Sequence, residues 1–521
     1  MPMGLNATAG MRPPASWAGA LLFVGAVVLC WTVLPAVLQT VPHADNVEQL
    51  NWAHALQWGY LKHPPLPTAL LWSASALFGP SAILTYALAM ACVGASLLLI
   101  WRCALLLAGP PTALVALFLA STNYYLMGRG SFLNHNTVML PFVAASALLV
   151  LRIVQDAAGP TAWRRWVLLG LVQALGLLTK YQMAIVIAAN AAALLAAVPW
   201  RRAGHAGPFV RNAALCTAAT ALPLLPHLAW LRAHDFSTFA YAGQNLLADL
   251  PLGQRLLHTA SFTAQQVGRL APVGLTLALA LLLQRRWPSP AAPPAEAPPT
   301  AAADAAGPAA PELFRALWLL ALVPGLIVLA LALVAGVAPQ NHWGATSTVL
   351  LPLALAVRLP PARRPMAGPA LAATLAVHAL AILWNVTAAF TAPGFHHSFA
   401  ARPLAAQSLA YWQAHAAGPL RIVVGPDCDA GAIALDLPSH PAVIASGDRR
   451  QAPWVSDAQL AGCGALVLWR PDQPPSEQVG AFAAALKSPV ILEAPAAHGG
   501  VSRIAAGILE PTAPHCPEPA P

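Results

Sequence analysis

Long apolar runs follow one another along most of the chain, and short polar stretches break them at fairly regular intervals. The run Trp17–Leu38 carries no charged residue. It matches the ~20 residues that a helix needs to cross the hydrocarbon core. It exceeds a signal-peptide apolar segment and no small-x-small cleavage site closes it, so it predicts an uncleaved first span with Arg12 inside. Comparable runs at Ile83–Leu107, Thr112–Met127, Thr137–Ile153, Trp166–Leu178, Met183–Val198 and Leu215–Leu231 predict further crossings. Val267–Leu283, Phe314–Val337, Thr346–Val357 and Leu371–Phe390 complete a set of about eleven.

The breaks between runs predict topology. Arg102, Arg164, Arg165, Arg201, Arg202, Arg211, Arg285, Arg286, Arg358, Arg363 and Arg364 fall on one side if the chain starts inside and ends outside. Asp45–Lys62 then lies outside. Its Val47, Leu50, Trp52, Ala55, Leu56 and Trp58 predict an amphipathic helix in the interface. Leu66–Phe78 is short and begins among prolines, which suits a re-entrant or tilted segment. Arg232 to about Gln266 reads as a polar outer loop, and 287–312, rich in Pro and Ala, as a flexible inner linker.

Beyond residue 390 the pattern changes. Arg421–Val424, Ala442–Ala445, Ala465–Trp469 and Val490–Leu492 read as short buried strands, with helices at Ala400–His415 and Ser476–Lys487. The expected division is a membrane domain, 1–390, and a small outer α/β domain, 391–521, with the outer loop 42–66 as the centre of interest.

Composition supports an α-helical integral membrane protein. Of 521 residues, 58% are hydrophobic and 9% charged, against about a quarter charged in soluble domains. The net charge of +9 comes largely from Arg in short loops, so it does not indicate nucleic-acid binding. Cys30, Cys92, Cys103 and Cys216 sit in apolar runs, Cys428, Cys463 and Cys516 in the C-terminal part. A Cys428–Cys463 bridge is possible if that part faces an oxidising compartment. No nucleotide fingerprint is present.

The candidate chemistry gathers in PHADNVEQLNWAHALQWGYLKHPPL, Pro42–Leu66. Acids at membrane level are costly and default to function. Asp45 and Glu48, spaced i,i+3, could form a base with a helper or a metal pair, and equally suit an acidic first helical turn. Lys62 and His63 precede Pro64-Pro65, which stiffens their backbone. Lys62 and Lys180, two of only three lysines, and Arg129 in GRGSFLNHN all fall outside. They could bind a phosphate or simply snorkel to the interface. His135, His342, His396 and His397 could be ligands or phosphate donors, His342 being the best placed. Carboxylates that accept a proton, beside cations that stabilise a leaving phosphate, suit group transfer from a lipid-linked phosphate. A transporter or flippase holding the same headgroup is the alternative, although neither charges deep in the spans nor repeated halves are visible.

The order of Asp45, Trp58-Gly59-Tyr60-Leu61-Lys62-His63-Pro64-Pro65-Leu66, Gly176-Leu177-Leu178-Thr179-Lys180 and Asn341-His342-Trp343 resembles the bacterial glycosyltransferase family 39/83 group. That superfamily includes the protein O-mannosyltransferases and the lipid A aminoarabinose transferase. The resemblance runs from about Trp17 to Phe390. It implies a GT-C-type multi-span bundle with a periplasmic active site in a bacterial inner membrane. It further implies inverting transfer from a polyprenyl-phosphate sugar, such as an undecaprenyl-phosphate sugar, to a cell-envelope acceptor, by a monomer. Asp45 would be the base or acceptor-orienting acid. Lys62, with His63, Arg129, Lys180 and His342, would contact the donor phosphate, and Tyr60 and Trp343 would lie in the substrate loops. No cofactor is required, though a divalent metal ion is compatible. Many relatives carry adjacent Asp-Glu, whereas Asn46 and Val47 separate Asp45 from Glu48 here.

Overall fold

The structure, a computed structural model, describes residues 15–157, 162–243, 251–286, 310–359, 366–483, 485–513 and 515–517. Arg12, Arg363, Arg364 and most of the expected linker, 287–309, lie outside the described residues. Among the described residues seven helices are long and apolar enough to cross a membrane. They bear large exposed side chains such as Leu22, Leu383 and Trp384, which is the surface expected where lipid replaces water. The protein is a multi-pass membrane protein.

Helix Ala82–Ser121 has 40 residues, about twice what the bilayer core requires. It serves as two runs because Gly109 takes φ +75°, a left-handed geometry open to glycine, and Pro110-Pro111 follow. Around it pack Ala15–Leu38, His135–Gln155, Ala367–Thr391 and the short Leu351–Ala356. Ala162–Thr179 and Met183–Ala197 are joined by a tight turn that carries Lys180.

Several elements differ from expectation. The expected interfacial helix ends at Trp52. It does not lie on the surface: Asn46, Val47, Gln49 and Trp52 are buried, so its polar positions are satisfied by protein rather than by water. The expected polar loop before Val267 is largely helix, because Leu252–Arg286 continues outward past the apolar run. The run Thr346–Val357 is broken into Ala345–Thr348 and Leu351–Ala356, the second with Pro352 near its start.

The C-terminal part is a five-stranded sheet, β1 Ile422–Gly425, β2 Ala442–Ala445, β3 Ala465–Trp469, β4 Lys487–Pro495 and β5 Val501–Leu509. Their order is β2-β1-β3-β5-β4. The first three are parallel, and β5 runs antiparallel to β3 and β4. The expected helix Ser476–Lys487 is only Glu477–Ala483, since Lys487 already pairs with Ile508 in the sheet. Cys463 bonds Cys516, not Cys428. After β5 the chain doubles back along helix Asp457–Cys463, where Thr512 N–H donates to the Ala461 carbonyl, and this lays Cys516 beside Cys463. Cys428 remains a free thiol.

The two parts share a core. Val41 and Val47, from the first outer loop, belong to the same apolar cluster as Leu404, Trp412, Ile433 and Leu466. The loop that carries the candidate acids is thus held by the sheet domain as well as by the bundle.

Candidate active site

Helix Ala44–Trp52 is fixed on two sides. Toward the bundle, Asn46 is fully buried; its Nδ2 donates to Thr85 Oγ1 at 2.8 Å and its Oδ1 accepts from Leu133 N–H at 3.0 Å. Thr68 Oγ1 donates to Gln49 Oε1 at 2.8 Å. Toward the sheet domain, Gly431 of helix Asp427–Leu435 presses on Val47 and Asn51. A Cβ there would lie 2.4 Å from Val47 and 2.8 Å from Asn51. Buried amide pairs of this kind fix orientation, because leaving either partner unpaired is expensive.

Asp45 stands at the open end. Asn134 caps helix His135–Gln155, its Oδ1 accepting from the Asn136 and Thr137 N–H groups. Its Nδ2 is left to donate to Asp45 Oδ2 at 2.6 Å. Arg129 Nη2 lies 3.6 Å from the same oxygen, and the guanidinium sits 3.5 Å from the centre of the Phe132 ring. Nη1 of Arg129 is buried with no hydrogen-bond partner among the described residues. Lys180 Nζ donates to Asn136 Oδ1 at 2.5 Å. Burial pushes Lys180 down to about 7, with Asp45 opposing. His342 joins Tyr125, Arg129, Asn134 and Asn136 around one cleft. Burial, then Lys180 and Arg129, lower His342 to about 2, so it is neutral at pH 7.

Lys62 is presented differently. Tyr60 and His63 exchange backbone hydrogen bonds at 3.0 and 3.2 Å, a tight turn with Lys62 at its tip. Lys62 Nζ donates to Glu48 Oε1 at 2.5 Å, and the two side chains are only 19% and 21% exposed. Burial raises the Glu48 carboxyl above its usual range, with Lys62 opposing. Burial works against charge on Lys62, but Glu48 beside it reverses the sign and holds its pKa above the ordinary value. The Tyr241 ring lies 5.9 Å from Nζ.

The remaining expected residues occupy the surroundings. His63 packs against His135 with ring centres 3.9 Å apart and the rings tilted by 37°, and burial, Lys180 and Lys62 lower it to about 3. Tyr60 is 2% exposed, stacks on Trp52 at 5.2 Å, and donates its hydroxyl hydrogen bond to the Ala55 carbonyl. Trp343 follows His342 in the turn Asn341–Gly344, with its carbonyl accepting from Gln182 Nε2 at 2.7 Å. His397 and His43 line a groove of about 460 Å³ between helices Ala15–Leu38 and Ala367–Thr391, to whose lining Arg129 also contributes. His396 stands beside His43, ring centres 4.8 Å apart.

Asp45 and Glu48 therefore share a helix but have different side-chain partners. Among the described residues no three His, Cys, Asp or Glu side chains are arranged to hold a metal ion. Sequence reasoning passed over Asn46, Asn134 and Asn136. The available signal was GRGSFLNHN itself, whose asparagines immediately precede or open an apolar helix and so suit capping.

Residues 62–230 match the family described as dolichyl-phosphate-mannose-protein mannosyltransferase. A curated relative, the lipid A galacturonosyltransferase RgtD of Rhizobium johnstonii, is 27% identical over 237 residues, 44% of this chain. The match spans 46%, just under half, of that relative's length. Among solved structures, ArnT from Cupriavidus metallidurans bound to undecaprenyl phosphate superposes with a TM-score of 0.59 at 12% identity, covering 95% of this chain and 98% of ArnT. Its apo form gives 0.57 at 11% identity, covering 97% and 99%. At such identity the likeness carries the fold, and it carries it over bundle and sheet domain together. Residues 62–230 thus carry the likeness to the mannosyltransferase family, and the chain as a whole has the fold seen in ArnT.

Proposed function

We propose that this protein is an inverting membrane glycosyltransferase that moves a sugar from a polyprenyl-phosphate donor to a hydroxyl of a cell-envelope acceptor, on the periplasmic side of a bacterial inner membrane. The observation that carries this reading is Asp45, an acid held by Asn134 and Arg129 where Lys180 and His342 also converge. In the reaction the acceptor oxygen attacks the anomeric carbon as the bond to the phosphate oxygen breaks. Asp45 takes or orients the hydroxyl proton, and the polyprenyl phosphate departs with its electron pair. Arg129 and Lys180 supply positive charge for that phosphate, and neutral His342 can donate a hydrogen bond to it. Lys62 joins them when a phosphate competes it away from Glu48. The groove that Arg129 helps to line is apolar where Trp31, Leu34 and Trp384 form its wall, and suits a prenyl chain. The ArnT bound to undecaprenyl phosphate supports the same donor class. Both substrates held at the membrane become a positioned pair.

The test uses purified protein with radiolabelled undecaprenyl-phosphate sugars and envelope extract. Label passing from lipid to a polar product, and staying on the lipid with Asp45→Asn, is the expected result. Label that remains on the lipid throughout the panel, while the lipid crosses vesicle membranes, would make the protein a transporter instead.

A further inference from the structure

The sheet domain has a crevice of its own. From β1 the chain passes to β2 on one side and returns to β3 on the other. The loops after β1 and β3 therefore diverge, and ligands of open α/β sheets bind where strand order reverses in this way. A cavity of about 260 Å³ lies there, lined by Pro426, Ser446, Trp469, Arg470, Gln473 and Ser476. Ser446 holds φ +52° and is followed by Gly447 at +74°. A non-glycine residue in that region is strained, and such strain gathers at binding sites.

The lining specifies a chemical class. Asp429 is buried and takes both Nε and Nη2 of Arg470, at 3.0 and 2.8 Å. The pair locks the guanidinium and cancels its charge, so the crevice favours an uncharged ligand. Trp469 contributes an apolar aromatic surface. Gln473 is exposed and offers its side-chain amide, while the Ser446 and Ser476 oxygens, whose hydrogens go to Asp427 and to the Ser446 carbonyl, are left as acceptors for a ligand hydroxyl. A pyranose combines an apolar C–H face with a rim of hydroxyls and matches both features.

The crevice also has a fixed relation to the site in the bundle. Ser446 Oγ donates to Asp427 Oδ1 at 2.5 Å. Asp427 opens the helix whose Gly431 presses on Val47 and Asn51. Its charge acts on both Lys62 and Glu48.

We propose that the crevice at the carboxyl ends of β1, β2 and β3 binds a neutral sugar ring of the acceptor, holding the glycan beside the Lys62–Glu48 pair. The proposal rests on the glycosyltransferase reading for the identity of the ligand as acceptor, but binding is testable without turnover. Full-length protein in lipid nanodiscs is titrated with methyl glycosides of glucose, galactose, mannose and heptose, observed by saturation-transfer NMR. Gln473 is exposed, so Gln473→Trp fills the crevice without disturbing the sheet core. At least one glycoside binds the wild type, and Gln473→Trp weakens it at least about tenfold. In transfer assays the same variant raises the acceptor KM about tenfold and leaves the donor KM unchanged. Absence of saturable binding by every glycoside, or equal binding by wild type and Gln473→Trp, overturns the subsite even where transfer proceeds. Binding that is lost in the variant while the wild type transfers no sugar upholds the subsite and removes the glycosyltransferase reading.

Discussion

Asp45 and Glu48 lie one turn apart on the same nine-residue helix, yet their surroundings differ. Glu48 is enclosed with Lys62 in a close ion pair, both side chains about one-fifth exposed. Asp45 is 41% exposed, held by one asparagine and a more distant guanidinium. An acid already committed to a lysine is poorly placed to take a proton from a substrate. An acid oriented by an amide and left partly exposed is better placed for it. Helical spacing suggested a cooperating pair, and the packing gives the two carboxylates different partners.

The sharpest way to break the comparison is Asp45→Asn. Loss of a positioned base costs about 10²–10⁴-fold, so transfer should fall by that factor while donor binding, followed with a fluorescent polyprenyl phosphate, holds. A rate within a factor of about two of wild type would remove Asp45 from the chemistry. Next comes the lysine side. Lys62→Ala should lower kcat by about 10²-fold through lost charge on the leaving phosphate. Glu48→Gln should act far less on kcat and should lower the donor KM, because it frees Lys62 from its internal partner. Equal damage from Glu48→Gln and Asp45→Asn would mean that the two acids share one task after all.

How much of this could be read from the chain depends on the distance over which each feature is determined. Since membrane helices satisfy their backbone locally, the apolar runs announced the seven long apolar helices found among the described residues, though not a set of eleven. Strands β1, β2 and β3 stood out as short apolar segments. Strand β5 did not, because VSRIAAGIL is weakly apolar and is set by pairing with β3 and β4. Lys62 and Asp45 were singled out by their rarity and by motif order. Their separation was not legible: it depends on Asn46 reaching Thr85 and on Asn134 donating back across 89 positions of sequence. The Cys463–Cys516 bridge likewise depends on where the chain goes after β5, which no local pattern records.

Lys180 gives the comparison a pH dependence. Its ammonium is lowered to about 7 by burial, so the charged form predominates below that pH and is lost above it. A lipid phosphate diester stays ionised throughout, and donor kcat/KM should therefore decline above about pH 7, by up to about tenfold per unit. Lys180→Arg keeps its charge at all these pH values and should flatten the alkaline limb, though its wider fork costs some rate near neutrality. Lys62, held above its ordinary value by Glu48, contributes nothing to that limb. An alkaline limb unmoved by Lys180→Arg would assign the titration elsewhere.

The smallest effect tests whether the sheet domain holds both acids in place. Gly431 meets helix Ala44–Trp52 with no room for a Cβ, and its contacts, Val47 and Asn51, flank Glu48 more closely than Asp45. Gly431→Val forces an overpacked junction, costing about 1–3 kcal/mol. The interface should loosen without unfolding either part, seen as faster hydrogen exchange confined to helices Ala44–Trp52 and Asp427–Leu435. Asp45 is tied to the bundle through Asn134, whereas Glu48 meets Lys62 beside the charge of Asp427. The donor KM should therefore rise a few-fold before kcat changes. A fall in kcat at constant donor KM would put the sheet domain's grip on the Asp45 end of the helix instead.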